Sequence, residues 1–319
     1  MPPARPAPAV PGARPQLLPP NLSAYRKGNT GTEYVTTLES RRPGPHVLVN
    51  ALTHGNELCG AHALDRLLRA GVVLERGKLT LSFANVEAFQ RFNALAPYES
   101  RFVDEDFNRL WDDSVLASAR SSVELMRARA LLPHVRAADY LLDLHSMHLD
   151  APPLLLCGMQ EKALRLGRAM GFPRHLVCDS GHQAGPRMMD YGAFADPSKP
   201  QTGLLIECGQ HWRANSAQVA MQATLRFLEC TGVVNAAWAA AQRAQLEGTV
   251  PPQPQVVIEV THVVTIQSRD FRLVEDYVGL EVVPRRDTII GYDGAREIRT
   301  PYDQCVLIMP GRNLAPGLT

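Results

Sequence analysis

The stretch HVLVNALTHGNE, residues 46–57, sets the reading of the chain. Its first half is a short, valine-rich apolar run, the pattern of a buried strand, and it empties into His54-Gly55-Asn56-Glu57. Residues 57–70 then space Leu58, Ala61, Leu64, Leu67 and Leu68 three and four apart, which predicts a helix with one apolar face. The alternation continues outward. Strands are predicted at 35–38, 78–84, 140–144, 154–157, 176–178 and 203–206, and helices at 121–132, 162–170 and 216–230. Strands alternating with helices predict an α/β core, a parallel or mixed sheet covered on both faces. A Pro-rich linker is read at 249–254. Beyond it, strands are expected at 256–266, 280–283, 288–291 and 305–309, with no helix. The expected organisation is a disordered Pro-rich tail at 1–24, an α/β domain at 25–250 and a small β-rich C-terminal domain at 251–319.

Composition excludes several function classes. Lys+Arg total 33 against Asp+Glu 32 over 319 residues, so no basic excess points to nucleic acid or an anionic membrane. No run approaches the ~20 apolar residues of a membrane span. Eight of the 25 prolines fall within the first twenty residues, which lack the apolar core of a secretory signal. The six cysteines stand singly, without a CxxC pair, which fits reduced thiols and a cytoplasmic location.

Three apolar strands end in chemistry. HVLVNALT runs into His54 and Glu57, YLLDL into His145, and TGLLI into Glu207. Ligands in open α/β sheets sit outside the carboxyl ends of strands, so these four side chains are expected to meet over one cleft. Two imidazoles and a carboxylate make a catalytic zinc set with a fourth position left to water, whose pKa the metal lowers toward ~7. His54, Glu57 and His145 are the expected ligands. Glu207 is the expected carboxylate that moves the water's proton to the leaving amine. Asp143, two residues before His145 on the same strand face, is a candidate to hold that imidazole from behind.

THGNE at 53–57, DLH at 143–145 and LIECG at 205–209, with Arg101, Asp106, Asn108 and Arg109 in RFVDEDFNR, resemble the zinc-dependent aspartoacylase and succinylglutamate desuccinylase family, itself related in fold to zinc carboxypeptidases. The resemblance covers about residues 25–235. It implies a zinc-carboxypeptidase-like mixed sheet flanked by helices and one Zn2+ held by His54, Glu57 and His145. It also implies Glu207 as general base and acid, and Arg101 as the group that polarises the scissile carbonyl. Asn108 and Arg109 would grip a substrate carboxylate. The implied activity is deacylation of a small carboxylate-bearing amide, and the implied assembly is a homo-oligomer. Family members that cleave acidic substrates carry a second arginine ten residues before the catalytic glutamate, where this chain has Pro197. Nearby Arg187 and Lys199 are read as solvated loop charges. A C-terminal tyrosine that reaches the site would be Tyr292 or Tyr302. The alternatives are a metallocarboxypeptidase acting on short peptides and a catalytically silent zinc-binding regulator. His62, His148, His182, His211 and His262 are read as structural, and Cys208 as a buried thiol.

Overall fold

In the computed structural model, which describes residues 15–246, 253–311 and 316–317, the opening stretch forms β2 (His46–Ala51) inside an eight-stranded sheet. The other strands are β1 (Val35–Glu39), β3 (Lys78–Phe83), β4 (Tyr140–Met147), β5 (Leu154–Leu156), β6 (His175–Cys178), β7 (Thr202–Gln210) and β8 (Val256–Glu259). Their order is β1-β3-β2-β4-β7-β5-β6-β8. β3, β2, β4 and β7 run parallel, whereas β1 and β5 pair antiparallel with β3 and β7. The sheet is therefore mixed, as expected.

Alternate residues of each strand bury on opposite faces, the consequence of a two-residue period. Val47, Val49, Leu142, Leu144, Leu204 and Ile206 enter one core with Leu58, Leu64 and Leu67 of α1 (Leu58–Ala70). Leu48, Leu141 and Leu205 enter the other with Phe107, Trp111 and Leu125. Among the short helices, α2 (Val86–Phe89) and α3 (Asp113–Leu116) precede α4 (Val123–Ala137), which covers this second face. On the first face lie α5 (Glu161–Met170), α6 (Ala214–Thr231) and α7 (Ala236–Ala244). A β-carbon on Gly60 would lie 2.8 Å from Leu144 Cβ and 2.9 Å from Ala51 Cβ, so α1 seats on β2 and β4 at a distance only glycine permits.

Three expectations shift. Residues 1–14 of the expected tail and 249–252 of the expected linker lie outside the described residues. The rest of that tail is anchored: Gln16 and Leu17 donate their N–H groups to Trp212 O, and Leu17 and Leu22 are buried. Two leucines among the prolines find apolar surface, which composition alone does not register. Only 256–259 of the strand expected at 256–266 forms, as β8, and it extends the main sheet beside β6. Pairing stops there because β6 itself ends at Cys178. The antiparallel C-terminal region then comprises β9 (Phe271–Leu273), β10 (Val282–Val283), β11 (Ile289–Asp293), β12 (Arg296–Arg299) and β13 (Cys305–Val306), in two small sheets. Among the described residues no helix is long and apolar enough to cross a membrane.

Candidate active site

β2 and β4 deliver their chemistry at the same end. His54 and Glu57 follow β2 on the turn into α1, and His145 lies near the end of β4. Gly55 makes that turn possible, since a β-carbon there would come within 2.4–2.5 Å of Phe89 N, Ala88 C and Ser100 O. Each of His54, Glu57 and His145 is buried and offers a ligand atom within 4.8 Å of those of the other two. Glu57 Oε1 is 2.8 Å from His54 Nδ1, and its Oε2 is 3.0 Å from His145 Nδ1. The carboxylate is thereby occupied and does not cap α1. Despite burial, the two histidines hold Glu57 well below the usual carboxylate range.

The far nitrogens are held by carboxylates. His145 Nε2 is 2.7 Å from Asp143 Oδ2, and Asp143 Oδ1 accepts from Asn50 Nδ2 at 2.8 Å and Thr53 Oγ1 at 2.7 Å. His54 Nε2 is 3.0 Å from Asp106 Oδ1. With Nε2–H donated to these carboxylates, each imidazole would turn its Nδ1 lone pair toward Glu57, the disposition a divalent cation requires; Arg101 Nη2 also lies 2.9 Å from His54 Nε2. The donor set of two nitrogens and a carboxylate suits zinc.

The segment 101–109 closes one side. Arg101 Nη1 lies 3.2 Å from Glu57 Oε1 and Nη2 lies 3.3 Å from Asp106 Oδ2. Burial opposes the charge of Arg101, but Asp106 and Glu57 outweigh it and raise its pKa. Asn108 Oδ1 accepts from Met188 N at 2.8 Å, leaving the side-chain Nδ2–H groups as the donors it can offer. Arg109 donates through Nη1 to Asn108 O at 2.7 Å. What pins this segment is Glu124 of α4, fully buried, which accepts from Asn85 Nδ2, Val103 N, Asp104 N and Glu105 N at 2.7–3.2 Å. Sequence reading gave neither Glu124 nor Asp106 a role; Asp106 stood inside the quoted segment, whereas Glu124 carried no local signal.

Glu207 stands opposite His145 in the β4–β7 register, so both project into the cleft. Its Oε2 is buried and has no hydrogen-bond partner. Burial and the neighbouring Glu57 charge push its carboxyl up to about 8, against the pull of His145 and Arg101. A carboxyl poised there gains and loses a proton near neutral pH. Next to this group, His148 stacks on Tyr98 and, like His211, is kept uncharged at neutral pH by burial, His148 down to about 4.

The second expected basic position resolves differently from its reading. Arg187 is not a solvated loop charge: it is 5% exposed, with Asp179 bound through both Nη1 and Nη2 at 2.7 and 2.9 Å, and Nε 2.6 Å from Asp190. Two nearby aspartates offset the cost of burying the guanidinium, Asp190 three residues after it and Asp179 eight before it. Lys199 is exposed beside Tyr140 and Thr202, the starts of β4 and β7, and so lies at the opposite end of the sheet from the cleft. Tyr292 stacks under Arg272, and Tyr302 hydrogen-bonds Thr261; among the described residues neither contacts the cleft side chains.

Residues 43–230, more than half of the chain, match the family model of the succinylglutamate desuccinylase/aspartoacylase catalytic domain. No curated protein matches the chain. Among solved structures, a succinylglutamate desuccinylase from Vibrio parahaemolyticus superposes with a TM-score of 0.65 at 16% identity, covering 90% of this chain and 84% of the other. A succinylglutamate desuccinylase/aspartoacylase from Rhodobacter sphaeroides gives 0.60 at 19% identity, with 89% and 85% covered. An ectoine utilization protein from Ruegeria pomeroyi, solved with product bound, gives 0.59 at 17% identity, with 89% and 86% covered. These likenesses carry the fold, and the family model carries the membership. The chain belongs to the succinylglutamate desuccinylase/aspartoacylase family of deacylases.

Proposed function

We propose that this chain is a zinc-dependent amidohydrolase that cleaves the amide bond of a small N-acyl amino acid, with His54, Glu57 and His145 as the metal ligands. The observation that carries the reading is the buried cluster of those three donors, with Asp106 and Asp143 behind the two imidazoles. Zinc bound there would supply Lewis acidity and a water acidified toward about 7. Glu207 takes the proton that must leave the attacking water and hands it to the departing amine. Arg101 turns its N–H donors to the oxygen on which charge develops as the carbonyl is attacked. Arg109 holds the substrate carboxylate, for which its planar fork of donors is suited, and Asn108 assists through its free amide N–H.

A silent zinc-binding regulator would have no use for a buried, unpartnered carboxylate at Glu207. The six cysteines, none in a disulfide, support a reducing compartment, and we place the protein in the cytoplasm. The test is reconstitution. Chelation should abolish hydrolysis of N-acyl amino acids and one equivalent of zinc should restore it. Full activity in protein shown to be metal-free refutes the proposal, and a preference for unblocked short peptides replaces it with the carboxypeptidase alternative.

A further inference from the structure

Three guanidiniums gather where segment 101–109 meets loop 179–190, and their partners differ. Arg101 is paired with Glu57 and Asp106. Arg187 is paired with Asp179 and Asp190, and these three formal charges sum to −1. Arg109 is largely buried and, among the described residues, has no carboxylate in ion-pair range; its guanidinium contact is the carbonyl of Asn108. Burial, with the like charges of Arg101 and Arg187, lowers its pKa against the more distant pull of Asp106 and Asp190, as expected of a desolvated cation without a carboxylate in contact. The neighbouring histidines add no positive charge at neutral pH: burial and Arg109 bring His182 down to about 4, and burial brings His148 to about 4.

The loop 179–190 fixes this arrangement. Gly185 packs against the backbone of Arg109, where a β-carbon would lie 2.3 Å from Arg109 O, and Met188 N is tied to Asn108 Oδ1 at 2.8 Å. Arg187 is thus brought beside Arg109 already neutralised by its own loop. A substrate with one carboxylate finds Arg109 free. A second carboxylate directed at Arg187 meets a guanidinium already making four hydrogen bonds to two aspartates, and a local surplus of negative charge. Desolvating an unpaired carboxylate there is unfavourable, and the aspartates repel it.

Resting on the amidohydrolase reading above, we infer that the substrate carries a single carboxylate: an N-acyl derivative of an uncharged amino acid with an uncharged acyl group. Asp179 and Asp190 are the residues that discriminate against dicarboxylates, acting through Arg187.

The zinc-loaded full chain is assayed with N-acetyl-L-leucine and N-acetyl-L-alanine against N-acetyl-L-aspartate and N-succinyl-L-glutamate. The same four compounds are titrated calorimetrically into the protein as purified. The monocarboxylates should be favoured in kcat/KM by about tenfold or more, as like-charge placement implies, and should bind more tightly. Asp190→Asn, which releases one side of Arg187, should narrow that ratio by about tenfold through the KM of the dicarboxylates. Equal or better turnover of the dicarboxylates by the unaltered chain overturns the inference and leaves the amidohydrolase reading intact. Failure to hydrolyse any of the four, with zinc bound, removes the reading on which the inference rests.

Discussion

Asp143→Asn tests the metal centre through a residue that would not touch the metal. Asp143 Oδ1 accepts two hydrogen bonds, from Asn50 Nδ2 and Thr53 Oγ1, while Oδ2 faces His145 Nε2 at 2.7 Å. In the amide variant the oxygen stays with its two donors, so the new NH2 group points at His145 Nε2. That nitrogen must then accept, and the imidazole proton moves to Nδ1, the atom that should carry the lone pair toward the cation. Loss of such a supporting carboxylate typically costs 10–100-fold in metal affinity. A factor of 10–100 is about 1.4–2.7 kcal/mol. Because a cation that binds the folded chain stabilises it by its binding free energy, the zinc-induced gain in stability should fall by the same amount. Two assays read this independently: competition for zinc with a chromophoric chelator, and urea unfolding with and without zinc. The metal-free variant should lose about 1–3 kcal/mol, the cost of one unsatisfied buried contact. An Asp143→Asn protein that binds zinc as tightly as the parent refutes the ligand assignment of His145.

Glu207→Gln should retain a full equivalent of zinc by elemental analysis while hydrolysis of an N-acyl amino acid falls by about 10²–10⁴; turnover at the parental rate would exclude Glu207 as the proton carrier. Glu124→Gln keeps the shape of the side chain but presents an N–H donor to backbone N–H groups now bound by Oε1 or Oε2. It should cost about 1–3 kcal/mol in urea unfolding and lower kcat, because the segment carrying Arg101 and Asp106 loses its tether; unchanged stability and kcat would show that the tether is idle.

The legible parts of this site were those whose signal is local. His54, Glu57, His145 and Glu207 follow apolar strands directly, and a strand's end is a fixed place in an α/β sheet, so sequence order alone predicts their convergence. Asp143 was legible for a similar reason, through the two-residue period that puts it on the face of His145. The β-branched run at 256–259 was readable as a strand, but its place beside β6 was not, because pairing partners are settled by tertiary packing. Glu124 was opaque. It acts on backbone N–H groups about twenty residues earlier in the chain, and a glutamate at the start of a helix reads as an ordinary helix-dipole residue. Arg187 misled because composition describes a loop with glycines and charges as solvated, whereas its two aspartates, three residues after it and eight before it, satisfy it together only once the loop folds back.

The division of labour between sheet and loops follows from the same contacts. The two histidines proposed as ligands, His54 and His145, stand at strand ends whose neighbours are buried leucines and valines, and Asp143 behind His145 is itself held by buried hydrogen bonds. Rotation of either imidazole would break a charge-assisted bond of 2.7–3.0 Å, so both rings are held in place by the fold itself. The side on which we propose that the substrate carboxylate binds is built otherwise, from segment 101–109 and loop 179–190, joined to each other by Met188 N on Asn108 and by the close seat of Gly185 on Arg109. Substitutions in loop 179–190 can therefore change which charge Arg187 offers without disturbing His54, Glu57 and His145, which share no hydrogen bond with that loop among the described residues. On the proposed reading, reaction type is written in the strand ends and substrate choice in the loops, and the two can vary separately on one fold.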